Sequence, residues 1–371
     1  MSYESYIYKP SIYLINMRAK VRELFKDIDA DSILLASGDR HIDTNFYYFS
    51  EMSKMRHLTG FMVLRNGRKP LVIADPREYK IFKNRRSIDT VLFKDGKDLQ
   101  SLLGKALSKK IGIDHQWTSL LEERWLKKLL KGREFIDVSN SLSTVRSIKT
   151  NKEIRKISEA CKITEEIIGK VVKTVKEGQI EKEIAKKLDI QALSSSEGAS
   201  FPTIVASGRN SATPHHIPGK AKIKKGDILL IDFGVIHEGY CSDLTRTFVL
   251  GNANVMQKHV YATVYKAQRS AIAAIKEGVK AKDVFNIANK IIKQNFGKDM
   301  IHALGHGLGI LVHDFPQGLH KKADYKLKQN MVLTVEPGYY GPFGVRIEAD
   351  VAVTTKGCKL LSDASPILVG I

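Results

Sequence analysis

The aliphatic run Ile228-Leu229-Leu230-Ile231 leads straight into a carboxylate, Asp232, and then Phe233-Gly234. Four aliphatic residues ending on Asp and Phe read as a strand, and a carboxylate there is almost never left without a partner. A second carboxylate follows in Ser242-Asp243-Leu244-Thr245-Arg246. The intervening turn, Val235 to Tyr240, would let Asp232 and Asp243 lie side by side on a hairpin. His306, Glu336 and Glu348 come later, each among apolar residues or glycines. A metal is the economical partner for such a set. Four carboxylates and one imidazole suffice for two divalent cations a few ångströms apart, because shared carboxylates offset the repulsion between the ions. A single zinc would need fewer ligands. The set is rich in oxygen and has no thiolate, which favours manganese, cobalt, iron or zinc over copper.

Each residue also has a bland reading. Asp232 and Asp243 could be solvent-exposed turn acids, and a lone histidine is more often structural. His306, however, sits in Leu304-Gly305-His306-Gly307-Leu308-Gly309, where glycines let backbone or substrate approach closely, and His302 and His313 lie within a few residues. Glu336 precedes Pro337-Gly338, so its strand must end there. Glu348 stands two residues beyond Arg346, and a strand through both would point them to one face; the alternative is a surface salt bridge. Pro214-His215-His216 lies in a polar loop and says little by itself.

The chain has 371 residues, long enough for two domains. A hydrophobic share of 43% beside 27% charged residues fits a soluble globular protein and excludes a disordered one. No apolar run approaches the roughly 20 residues of a membrane span. The start, Met1 to Tyr6, does not read as a signal peptide, so a cytoplasmic location is expected. Cys161, Cys241 and Cys358 are widely spaced and odd in number, which suggests neither a disulfide framework nor a cysteine metal site. The formal charge of +20 raises a nucleic-acid partner or an anionic membrane. The basic residues are dispersed in pairs such as Lys224-Lys225, which argues against nucleic acid.

Residues 1 to 145 alternate short apolar strands with helices and read as a smaller α/β domain. Its strongest local signal is Asn66-Gly67 between two apolar runs, a hairpin. Asn151 reads as the cap of a long helix, and the domain boundary falls just before it, leaving residues 146 to 371 as a second domain. That domain has a further helix from Glu181 to about Leu193, strands at Thr203–Ala206, Asp227–Asp232 and Arg246–Leu250, and helices from Val255 to Lys276 and Ala281 to Asn295. Strands return from Met331 onward. Helices and antiparallel strands segregate, which reads as α+β. No internal repeat is strong enough to argue from residues alone.

In order along the chain stand Ser207-Gly208 with Asn210 leading to Pro214-His215-His216, then Asp232-Phe233-Gly234, then Gly239 to Thr247. Gly305-His306-Gly307 with His313, Thr334-Val335-Glu336-Pro337-Gly338 and Val345-Arg346-Ile347-Glu348 complete the series. This succession closely resembles the Xaa-Pro dipeptidase and aminopeptidase P family. The resemblance covers the whole chain and implies a creatinase-type N-terminal domain before a pita-bread catalytic domain. It further implies that Asp232 chelates one metal, Asp243 and Glu348 bridge two, and His306 with Glu336 completes the second. Manganese or cobalt is the first expectation, with iron or zinc the alternatives. Glu336 would shuttle the proton, His215 and His313 would donate to the developing oxyanion, Thr245 would support Asp243, and Arg346 would bind substrate or buttress a ligand. The implied substrates are short proline-containing peptides, most of all dipeptides, and the implied assembly is a homodimer.

Two departures bear on specificity. Gln317 stands where many members carry an arginine that holds a dipeptide's free carboxylate, and Ala349 follows Glu348 where an aspartate is usual. Longer peptides with an Xaa-Pro N-terminus are therefore the runner-up substrates. A creatinase-like amidinohydrolase would lack the ligands, and a non-catalytic binding protein on the same fold is the remaining rival.

Overall fold

The computed structural model describes residues 11–38, 41–53, 57–365 and 367–371. Its contacts divide into two units, Met1–Val145 and Arg146–Ile371. Among the described residues no helix is long and apolar enough to cross a membrane.

The N-terminal unit is built on one mixed sheet. Strand order runs Asp89–Leu92, Leu71–Ala74, Gly60–Leu64, Ser32–Gly38, Lys110–Ile113, Glu134–Asp137, with His41–Ile42 paired onto Ser32–Gly38. Gly60–Leu64 and Leu71–Ala74 form an antiparallel hairpin across Asn66-Gly67. Gly67 takes φ +67°, the left-handed conformation such a turn requires. Helices pack Leu99, Leu103 and Leu126 against the buried sheet residues Leu34, Val63 and Ile111.

The C-terminal unit packs two helix pairs on two sheets, antiparallel throughout except where Val369–Gly370 joins Leu244–Val249 in parallel. Asn151–Val172 and Glu181–Ser195 cover a four-stranded sheet ordered Val369–Gly370, Leu244–Val249, Ile228–Phe233, Ile204–Ser207. Val255–Ala274 and Ala281–Phe296 cover a five-stranded sheet ordered Asp314–Leu319, Gly305–Gly307, Val332–Val335, Ala349–Val353, Cys358–Leu360. The first helix is capped by Thr150, not by Asn151, which is its first helical residue. The Thr150 hydroxyl accepts from the Glu153 amide at 3.3 Å and the Glu153 carboxylate accepts from the Thr150 amide at 2.7 Å. This reciprocal pair satisfies two amides that the first turn would otherwise leave open.

The two halves repeat one another, which the sequence reading did not detect. Lys176-Glu177-Gly178 and Lys276-Glu277-Gly278 stand 100 residues apart, and their glycines take φ +84° and +85°. After each, the chain pairs with a later segment in the same way. Gly178 and Glu181 donate to the carbonyls of Ile223 and Ala221, while Gly278 and Ala281 donate to those of Leu327 and Tyr325. The resemblance lies in turns and backbone hydrogen bonds, so it leaves few side chains alike.

Candidate metal centre

Each expected ligand stands on a strand or directly beside a strand end. Asp232 lies near the end of Ile228–Phe233, paired in register with Thr245, and Asp243 precedes Leu244–Val249. His306 is on Gly305–Gly307, and Glu336 follows Val332–Val335, a strand that Pro337 cannot extend. The ligand-capable atoms of Asp243, His306 and Glu348 lie within 4.8 Å of one another. His306 Nε2 is 3.4 Å from Asp243 Oδ2 and 3.5 Å from Glu336 Oε1. Arg346 joins the remaining carboxylate to the group, with Nη2 donating to Asp232 Oδ2 at 2.6 Å and Nε 3.9 Å from Glu336 Oε2. All five border one cavity of about 760 Å³, together with His215, His313 and Arg346.

The donor set fits divalent cations on two observations. Asp232 Oδ1 and Glu348 Oε1 are buried without a hydrogen-bond partner, although such atoms are costly to leave unsatisfied. Burial, reinforced by neighbouring carboxylates, pushes both Asp243 and Glu348 well above the usual carboxylate range. Among the described residues lining the cavity, Arg346 is the one permanent cation. One guanidinium cannot neutralise four carboxylates, and a metal ion would supply both the missing charge and the missing partners.

His313 stands beside this group, its ring 4.1 Å from that of His306. Burial, helped by His306, holds its imidazole below the ordinary histidine value, so it is neutral near pH 7. A neutral ring carries one N–H to donate.

Three expectations change. Thr245 supports Glu348, not Asp243: its hydroxyl donates to Glu348 Oε2 at 2.9 Å and accepts from Arg346 Nε at 2.9 Å. Thr245 pairs across the hairpin from Asp232, so the two side chains share one face of the sheet, and there the Thr245 hydroxyl meets Glu348. Glu348 is not on a strand with Arg346, because that strand ends at Arg346 and the next begins at Ala349. Arg346 is committed to the protein. Its other nitrogen, Nη1, donates to the Tyr340 hydroxyl at 2.9 Å and the Pro214 carbonyl at 3.2 Å, so all three guanidinium nitrogens are engaged within the protein. Gln317 is exposed and does not line the cavity.

Three residues that the sequence did not flag hold the site from behind. The Asp350 carboxylate accepts from the Asp243 amide at 3.3 Å and from the Cys161 thiol at 3.1 Å. Burial pushes Asp350 up to about 7. Gln268, fully buried, donates to the carbonyls of Val335 and Ile347, the residues immediately before Glu336 and Glu348. Glu181 binds the loop that carries His215. A carboxylate preceding Val351-Ala352-Val353 was a usable signal for Asp350; nothing in the sequence marked the other two.

The two units are therefore a creatinase-type N-terminal domain and a pita-bread catalytic domain with a hard-donor metal centre. Comparison with known proteins agrees: residues 155–355 match metallopeptidase family M24 and residues 17–148 match the creatinase/prolidase N-terminal domain. The chain belongs to family M24 and is a metallo-exopeptidase. It is 33% identical over 353 residues to the Xaa-Pro dipeptidase of Pyrococcus furiosus, covering 93% of this chain and 98% of that one. Among solved structures it resembles the X-Pro aminopeptidase of Thermotoga maritima, with a TM-score of 0.86, 30% identity and coverage of 93% and 98%. It also resembles the prolidase of Pyrococcus horikoshii, with a TM-score of 0.84, 32% identity and coverage of 94% and 98%.

Proposed function

We propose that the chain hydrolyses the bond before proline in Xaa-Pro dipeptides, using two divalent cations, manganese or cobalt first and iron or zinc as alternatives. The observation that carries this reading is the convergence of Asp232, Asp243, His306, Glu336 and Glu348 on one cavity with two buried carboxylate oxygens lacking partners. Asp232, Asp243, His306, Glu336 and Glu348 would hold the cations. When bound, the cations lower the pKa of water and polarise the scissile carbonyl. Glu336 receives the proton that the attacking water gives up as the new C–O bond forms. It passes that proton to the proline nitrogen as the C–N bond breaks. His215 and His313 donate to the oxygen that gains negative charge. Because the proline amide has no N–H, the site needs no acceptor there.

The two-domain division at residues 145 and 146, a homodimer and a cytoplasmic location complete the proposal. A second reading, cleavage of longer Xaa-Pro peptides, is favoured by two facts. Gln317 lies outside the cavity, and Arg346 is engaged by Asp232, Tyr340 and Pro214, so neither reads a dipeptide's terminal carboxylate. Comparing kcat/KM for Met-Pro with that for an Xaa-Pro-Xaa tripeptide on metal-reloaded enzyme decides between them. A tripeptide preference moves the assignment to the aminopeptidase.

A further inference from the structure

We propose that Glu181 is a positioning residue of this site: its buried carboxylate fixes the segment from Ser207 to Gly219, which presents His215 and Ile217 to the cavity. The inference rests on the reading of His215 given above. Glu181 begins the helix Glu181–Ser195 and is fully buried. Its Oε1 accepts from the Ser207 amide at 2.7 Å, the Ser207 hydroxyl at 2.9 Å and Asn210 Nδ2 at 2.9 Å. Its Oε2 meets His216 Nε2 at 2.8 Å and the Gly219 amide at 3.2 Å. One carboxylate thus holds both ends of the segment and two points between.

What it holds is the wall of the cavity. Pro214, His215, His216 and Ile217 all line it, and Ile217 is 84% exposed, an aliphatic side chain offered at the mouth. His215 and Ile217 flank His216, so tethering His216 to Glu181 limits the motion of both neighbours. The far side of the segment is fixed independently, since Gly344 donates to the Ser211 hydroxyl at 2.8 Å and a Cβ at Gly344 would lie 1.8 Å from the Ser211 carbonyl oxygen.

The repeat supplies an internal control. The position equivalent to Glu181 in the second half is Ala281, fully buried in that half's hydrophobic core, with the same backbone bond to the opposing segment. The fold therefore needs only a small apolar residue there. A carboxylate in the first half is an addition to what folding demands, and its bonds all run to the segment carrying His215. Burial raises the Glu181 carboxyl, but its bonds to Asn210, His216, Ser207 and Gly219 prevail and keep it below the usual range.

The test uses Glu181→Gln and Glu181→Ala in the full chain, alone and with His215→Ala. A glutamine has one acceptor oxygen, so it cannot serve both the Ser207 and the Gly219 sides, and the alanine copies the second half. Metal content, kcat and KM are measured per folded molecule, and amide hydrogen exchange is followed along the chain. We expect exchange at Ser207 and Gly219 to quicken while the strand Ile228–Phe233 is unchanged. Bound metal should stay at the wild-type level and kcat fall by about tenfold to 100-fold. In the His215→Ala background, removing Glu181 should cost kcat less than about threefold. Unchanged exchange in the segment overturns the proposal whether or not the chain is active. So does an undiminished kcat in a folded variant, or a loss equally large without His215. Should Glu181→Ala fail to fold, Glu181→Gln and Asn210→Ala decide alone, the latter removing one tether with a smaller loss in kcat.

Discussion

Replacing Arg346 by methionine removes the one permanent cation among the described residues lining the cavity while keeping much of its volume. Arg346 is 3% exposed, and its guanidinium donates to Asp232 Oδ2 at 2.6 Å, the Thr245 hydroxyl at 2.9 Å, the Tyr340 hydroxyl at 2.9 Å and the Pro214 carbonyl at 3.2 Å. Breaking a buried pair by deleting one partner costs about 3–5 kcal/mol, because the other charge stays desolvated. The three neutral acceptors add to this by less than their separate values, since one planar group serves them all. In metal-free protein we therefore expect a loss of about 3–5 kcal/mol, or roughly 6–20 °C in Tm at about 2–4 °C per kcal/mol. In metal-loaded protein the cost should be smaller, because cations beside Asp232 take over part of the compensation. Arg346→Lys keeps the charge without the fork and should fall between. Thermal and urea unfolding of chelated and manganese-loaded protein measures all of these. A loss under about 1 kcal/mol without metal, or an equal loss with and without it, would refute this account of Arg346.

Three further outcomes follow from the same geometry. Thr245→Val removes the donor to Glu348 Oε2 and the acceptor for Arg346 Nε, and should weaken metal binding about tenfold to 100-fold in a titration. Metal removal should make stability fall with rising pH: Asp243 and Glu348 have folded values above their unfolded ones of about 4, so their contribution is whole below the unfolded value and is lost as pH rises through the folded one. The urea midpoint of chelated protein should drop between pH 5 and pH 8, and reloading with metal should restore it; a flat profile would contradict this. Asp314 behaves oppositely. Its buried carboxyl meets Arg146 at 2.5 Å, and although burial raises it, Arg146 and Lys149 hold it below the usual range. That stability is present above about pH 3.9 and is lost as pH falls through the folded value, so Asp314→Asn should flatten the acid limb of the stability curve.

Much of the centre was legible because its chemistry is written in contrasts. A carboxylate after four aliphatics, a histidine between glycines and a glutamate before Pro-Gly each break the pattern around them, and all five expected ligands meet in one cavity. The hairpin at Asn66-Gly67 was legible for the same reason, since only a few residue pairs suit a left-handed turn. What escaped was whatever depends on long-range pairing. Glu181 reads as an ordinary acid in the first turn of a helix, where the dipole favours one, and nothing local announces a loop folded back onto it. Sequence proximity pairs Thr245 with Asp243, two residues away, whereas the fold brings it to Glu348, 103 residues on. Extending the strand from Val345 through Glu348 failed because the chain leaves the pair Gly338–Tyr340 with Gly344–Arg346 and joins a different sheet at Ala349. The repeat was hidden because backbone hydrogen bonds conserve it with little demand on side chains.

Metal-dependent cleavage before proline stands or falls on hydrolysis of Met-Pro by chelated protein, before and after reloading with manganese or cobalt. Turnover should be absent without metal and restored with it, and Met-Ala should not be cleaved at a comparable rate. Folded, metal-loaded protein that leaves Met-Pro and every Xaa-Pro-Xaa peptide intact would contradict it.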